Sequence, residues 1–169
     1  MKNRVHEADI QIMNSLDRYH NKLLDFIMIW FSRLGIPIIY ALFAGTLIYL
    51  LTNDYKPGLV ILGMLVINVV INEIIRFSVK RDRPFVYNKK ELIVKKPWTA
   101  SFPSGHANFA WSLAIYLCFL NTYGGILFCV FALIISMSRV YLNVHHPSDV
   151  IVGSLIGIII GFLVKMFTL

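Results

Sequence analysis

The sequence predicts an all-α integral membrane protein, a six-helix bundle with an N-terminal amphipathic interfacial segment, forming a single domain over residues 1–169. Three observations predict it. Hydrophobic residues fill 57% of the chain and charged ones only 15%, and the mean hydropathy is +0.68, a balance foreign to soluble globular domains. The apolar residues gather into long runs broken by turn chemistry such as NDYKPG and NTYGG. Strand-like alternation is absent, and hydrocarbon tolerates no unpaired backbone groups, so helices are the economical architecture.

Taken in order, Ile12, Leu16, Tyr19 and Leu23 recur at helical spacing, with Asn14, Asp17, Arg18 and Asn21 off that stripe. This is the pattern of an amphipathic helix lying at a membrane surface. The stretch is too polar and acidic for a secretory signal, so the chain is expected to insert whole. The apolar run in residues 20–34 falls short of the roughly 20 residues of a perpendicular span. A crossing and a shallow insertion both fit it, and we count it as a crossing. Leu34 to Thr52, Leu59 to Val79, Ala107 to Asn121, Gly125 to Leu142 and Val150 to Phe167 supply the other spans. Cys118 and Cys129 lie inside apolar runs, as small buried or lipid-facing side chains do, rather than in a disulfide framework.

A net charge of +7 would suggest nucleic acid or acidic lipid as partner of a soluble protein. Here the cations concentrate in the loop of residues 80–97, and no nucleic-acid partner is expected. The loop either binds anionic headgroups, at about 1 kcal/mol per surface cation, or funnels an anionic substrate. Phe85, Tyr87 and Trp98 would set its depth at headgroup level. Charge alone does not orient the chain. The positive-inside tendency pulls this loop toward the cytoplasm, but cations that bind substrate report chemistry instead.

Alternating spans bring three polar clusters to one membrane face: RFSVKRDRP (Arg76 to Pro84), SFPSGH (Ser101 to His106) and SRVYLNVHHPSD (Ser138 to Asp149). Asn68, Asn72 and Arg76 form a polar stripe that should face the bundle interior, with Glu73 placed to neutralise or orient Arg76. Lys80, Arg81 and Asp82 read as surface charges. PSGH sets Ser104, Gly105 and His106 at a helix start, where free N–H groups favour an anion, Gly105 admits phosphate to the backbone and His106 can donate a proton. A helix-capping role for Ser101 or Ser104 is the bland alternative. Arg139 adds a planar fork suited to phosphate oxygens. Pro147 favours the first helical position, which makes His146 the N-cap and lets Asp149 reach back from the first turn. A carboxylate on one nitrogen of His145 would leave the other free as a nucleophile. Metal binding is the rival for two histidines and an aspartate; Arg76, Arg83 and Arg139 in the same pocket would repel a cation, so no metal is expected.

These residues resemble the type 2 phosphatidic acid phosphatase superfamily, whose signature is K-x6-RP, PSGH and SR-x5-H-x3-D. PSGH is Pro103 to His106, and Ser138, Arg139, His145 and Asp149 fill the third part. The first part is filled by Arg76 to Pro84, with arginine in place of lysine. The resemblance implies a metal-independent, cofactor-free phosphatase in which His145 attacks phosphorus to form a phosphohistidine. Asp149 would orient His145, His106 would protonate the leaving oxygen, and Arg76, Arg83, Arg139, Ser104 and the Gly105 amide would hold the phosphoryl oxygens. It also implies a site on the extracytoplasmic side of the cell (inner) membrane. The expected substrate is a lipid phosphate in the bilayer: undecaprenyl pyrophosphate, phosphatidylglycerophosphate, phosphatidic acid or lipid A 1-phosphate. A lipid phosphotransferase using the same intermediate is the close alternative. An anion carrier would explain the arginines but not the His and Asp pair.

Overall fold

A computed structural model describes residues 2–88 and 92–168, in which every regular element is a helix: α1 (Lys2–Asp17), α2 (Lys22–Leu34), α3 (Pro37–Thr52), α4 (Lys56–Val79), α5 (Pro84–Asn88), α6 (Gly105–Leu120), α7 (Thr122–Tyr141) and α8 (Pro147–Phe167). Local chemistry sets their ends. The Asn21 side chain accepts from the Leu24 N–H to start α2, and Asn121 accepts from Gly124 to start α7. Pro37, Pro57 and Pro147 stand in the first turns of α3, α4 and α8, where a missing N–H costs nothing. Asn53 and Lys80 close α3 and α4 in the left-handed conformation, at φ 54° and 46°.

Helix length and composition support three or four of the six expected spans. Three helices, α4, α7 and α8, are long and apolar enough to cross a membrane alone. The α2 and α3 helices meet at a 76° bend and reach span length and apolarity only as a pair, as a broken span or a re-entrant loop does. Their join is tight, since a Cβ on Gly35 would stand 3.1 Å from the Phe31 carbonyl oxygen and from Ile135 Cγ1. The α6 helix is shorter and central, packed against α8, α7, α4 and α3. The basic loop also differs from expectation: it contains α5, and its Lys89 and Lys90 lie outside the described residues.

Apolar side chains cover the outer surface as well as filling the core, and several polar ones are buried. Val66, Val70 and Phe77 of α4, Ile126 and Val130 of α7, and Ile151 and Leu155 of α8 are exposed, while Asn68, Asn72, Asn108 and Ser112 are buried. The Asn68 and Asn72 amides donate to the carbonyls of Met64 and Asn68 at 2.8 and 3.0 Å, and the Ser112 hydroxyl donates to the Gly157 carbonyl at 2.9 Å. That arrangement suits a bundle whose surroundings are as apolar as its core.

A stripe of glycines brings α8 onto α6. A Cβ on Gly153 would stand 2.6 Å from the Ser104 carbonyl oxygen, and one on Gly161 would stand 2.6 Å from that of Ser112. Gly157, midway, faces the Asn108 backbone. Their i, i+4, i+8 spacing lets two backbones touch, the small-residue contact of membrane helices. Its upper end sets the start of α8 beside the start of α6.

The α1 helix lies across that end. Ile12, Tyr19 and Leu23 of the apolar stripe are exposed, whereas Asp9 and Met13 are buried against the protein.

Candidate active site

The start of α6 forms one wall. Ser104 is its N-cap; the Ser104 N–H donates to the Asp149 carbonyl at 3.1 Å, and its buried hydroxyl has no partner. A Cβ on Gly105 would lie 3.2 Å from Arg76 Nη2 and 3.6 Å from Asn72 Nδ2, so glycine lets the Arg76 guanidinium rest on the helix start. Glu73 accepts from Arg76 Nη1 at 2.6 Å, while Arg76 Nε is buried and unpartnered. His106, half-buried one residue on, lies within electrostatic reach of Arg139, His145, Arg76 and Arg83.

The turn after α7 builds the facing wall. Arg139 offers its carbonyl to the N–H groups of Val144 and His145 at 3.2 and 3.1 Å, and Asn143 turns the chain at φ 58°. His145 is thereby carried inward to 1% exposure. Its Nδ1 lies 2.7 Å from the Ser101 carbonyl oxygen. A carbonyl only accepts, so Nδ1 carries the proton and Nε2 keeps its lone pair. Burial pushes the His145 pKa down to about 3; the Asp149 carboxylate opposes that shift, and Arg83 and Arg139 reinforce it. The ring is neutral, as a nucleophile must be.

Asp149 supports this ring differently from the expectation. Its Oδ2 is 3.8 Å from His145 Nδ1, too far for a hydrogen bond. That oxygen instead accepts from the Ser101 hydroxyl and, at 2.9 Å, from the His146 N–H. The second contact is the expected reach from the first turn of α8 back to its N-cap. Ser101 stands between carboxylate and imidazole: its hydroxyl holds Asp149 and its carbonyl holds His145. A backbone carbonyl leaves no mark in a motif, which is why sequence reading missed it.

Two arginines complete the pocket. Arg83 donates to Thr99 O at 2.8 Å, to Val144 O at 2.7 Å, to Thr99 Oγ1 at 3.2 Å and to Ala100 O at 3.3 Å, and its Nη1 lies 3.3 Å from His145 Nε2. Arg139 donates to Ser32 Oγ of α2 and leaves Nε buried without a partner. Ser104 Oγ, Arg76 Nε and Arg139 Nε are thus buried polar atoms without a hydrogen-bond partner, free to bond to a ligand. On the flank of α4, a cleft of about 660 Å³ is lined by Arg76, Thr99 and the apolar Ile74 and Phe77. Among the described residues no three His, Cys, Asp or Glu side chains are grouped to hold a metal ion.

Two further expectations change. Arg81 is not a surface charge: it donates to Asp149 Oδ1 at 2.5 Å, to Ser148 Oγ at 2.7 Å and to Asp9 Oδ2 at 2.7 Å. Phe85 is buried, so it cannot set depth at the headgroups, whereas Tyr87 and Trp98 are exposed. His146 is the N-cap of α8, as expected, with its Nε2 donating to Asp82 O at 3.3 Å and its ring 5.7 Å from that of His6.

Comparison with known proteins extends this geometry. The profile of the PAP2 superfamily matches residues 57–168. The chain is 32% identical over 151 residues to the undecaprenyl-diphosphatase BcrC of Bacillus subtilis, covering 89% of this chain and 78% of that one. A crystal structure of a transmembrane PAP2 type phosphatidylglycerolphosphate phosphatase from Bacillus subtilis superposes with a TM-score of 0.81 at 27% identity, covering 98% of this chain and 87% of that one. That of Aquifex aeolicus LpxE gives 0.76 at 27% identity, covering 92% and 93%.

Proposed function

The chain belongs to the PAP2 superfamily, and from that premise we propose that it is a membrane lipid phosphatase cleaving a phosphomonoester or pyrophosphate through a phosphohistidine. One observation carries the reading: His145 presents an unprotonated Nε2 beside Arg83, in a pocket where Ser104, Arg76 and Arg139 hold unmet donors. Relatives of this chain are membrane lipid phosphatases, and the cleft lined by Arg76, Ile74 and Phe77 suits a phosphate whose tail stays in lipid.

In this mechanism Nε2 of His145 forms a bond to phosphorus as the bond from phosphorus to the lipid oxygen breaks. His106 gives its proton to that oxygen. Water then attacks phosphorus, returns a proton to His106 and displaces His145, releasing orthophosphate. Arg76, Arg83, Arg139, Ser104 and the Gly105 amide hold the phosphoryl oxygens, so the stabilisation is electrostatic and needs no metal. Asp149 acts on His145 through Ser101 and by its own charge. The site faces the extracytoplasmic side in this reading.

The test is phosphate release by purified protein in chelator from a panel of undecaprenyl pyrophosphate, phosphatidylglycerophosphate, phosphatidic acid and lipid A 1-phosphate. Undecaprenyl pyrophosphate comes first, because a relative at 32% identity is named for that activity. Release by the wild type and none by His145→Ala is the expected result. Turnover surviving in His145→Ala would remove the nucleophile, activity restored only by zinc would remove metal independence, and label passed to a second lipid would make the enzyme a phosphotransferase.

A further inference from the structure

The contacts of Arg81 tie the N-terminal helix to the nucleophile. Asp9 of α1 is 3% exposed and accepts three hydrogen bonds: from Arg81 Nη2 at 2.7 Å, from the Ser148 N–H at 2.9 Å and from the Ser148 hydroxyl at 2.6 Å. It therefore neutralises Arg81 and satisfies a first-turn amide of α8, a donor that no residue within α8 can serve. Arg81 in turn reaches the nucleophile's support by two routes. Its Nη1 donates to Asp149 Oδ1 at 2.5 Å, and its carbonyl accepts from the Ser101 N–H at 2.8 Å. His6, on the same side of α1, stacks edge-on to Tyr87 at 5.1 Å and His146 at 5.7 Å, which fixes the helix over the start of α8.

We propose that Asp9 is a positioning residue for the reaction, holding Arg81 between two carboxylates so that Asp149 keeps both its place and its net charge beside His145. The inference rests on the phosphohistidine reading. When Nε2 bonds to phosphorus, the His145 ring becomes a cation. With Asp9 present, two carboxylates flank one guanidinium and a negative charge remains to face that cation; without it, Arg81 cancels Asp149. The donors assigned to phosphate, Arg76, Arg83, Arg139 and Ser104, touch neither Asp9 nor Arg81 through any hydrogen bond in the structure. The loss therefore falls on kcat and not on KM.

The test uses the full chain in lipid–detergent micelles, with undecaprenyl pyrophosphate as probe. Asp9→Asn should lower kcat about tenfold with KM within about twofold, Asp9→Glu should recover part of that loss, and Asp9→Asn with Arg81→Gln should be no slower than Arg81→Gln alone. Wild-type kcat in Asp9→Asn, equal changes in kcat and KM, or two losses that multiply in the double variant would overturn the proposal. If Asp9→Asn does not fold, Arg81→Lys takes its place: it cannot present the planar fork to both carboxylates, and wild-type kcat there would overturn it. If the wild type releases no phosphate from any lipid of the panel, the phosphatase reading falls by itself. Water exchange of the His145 Nδ1 proton, followed by nitrogen-edited NMR, then decides: exchange about tenfold faster in Asp9→Asn supports the coupling, and unchanged exchange overturns it.

Discussion

Nη1 of Arg83 lies 3.3 Å from Nε2 of His145, on the ring edge away from the Nδ1–H that bonds to the Ser101 carbonyl. The guanidinium is locked there by Thr99, Ala100 and Val144, so in the proposed reaction it marks where the phosphoryl group would sit. A lysine would keep the charge and lose the fork that ties residues 99–100 to Val144. Arg83→Lys is expected to lower kcat/KM by about 100-fold, the scale of one lost charge-stabilising donor. Steady-state kinetics check this, and a loss under threefold would show that charge alone suffices.

The His145 pKa of about 3 sets a stability profile. An unfolded histidine titrates near 6.5, so between about pH 3 and 6.5 the unfolded chain holds the extra proton. Stability from the neutral buried ring is therefore full above pH 6.5 and is lost as pH falls toward 3. Melting temperatures of wild type and His145→Gln should converge as the pH drops through that window, because glutamine has nothing to protonate. Parallel curves would show that His145 is not held neutral by the fold.

Much of this site was legible because its residues travel in short motifs. PSGH places Ser104, Gly105 and His106 within one helix turn, and Pro147 fixes the phase that lets Asp149 reach the His146 N–H. The links that were not legible cross long stretches of chain. Arg81 looks like any cation after a helix, and only folding brings Asp9, 72 residues earlier, to its side. A signal for Asp9 did exist, since it shares a helix face with Met13, both buried, and a carboxylate on a buried stripe needs a partner. The 76° bend between α2 and α3 hid for a different reason: two short apolar runs read the same in sequence whatever angle joins them.

The glycine stripe of α8 was also present in the sequence, at i, i+4 and i+8 in an apolar helix. Gly153→Ala puts a methyl 2.6 Å from the Ser104 carbonyl oxygen, a backbone atom that cannot turn aside. It is expected to destabilise by about 1–3 kcal/mol and to lower activity as well, because Ser104 holds the Asp149 carbonyl. Gly63→Ala is the control: its Cβ would meet nothing within 4 Å, and alanine should stabilise α4 by about 0.5–1 kcal/mol. Thermal unfolding in micelles should separate the two variants in opposite directions.

Arg76 occupies the position where the family pattern has lysine, and its setting shows how an arginine fits. One nitrogen bonds to Glu73 at 2.6 Å, another lies against Gly105, and Nε is buried without a partner. If the site needs a positive charge at the start of α6, the compact ammonium of lysine supplies it there, so Arg76→Lys should cost no more than about tenfold in kcat/KM. Arg76→Gln removes the charge and should cost about 100-fold to 1,000-fold. Kinetics on the two variants separate charge from shape. A lysine variant as slow as the glutamine one would mean that this site uses the two-pronged guanidinium itself, with Glu73 setting its angle, and that arginine here is a change of geometry.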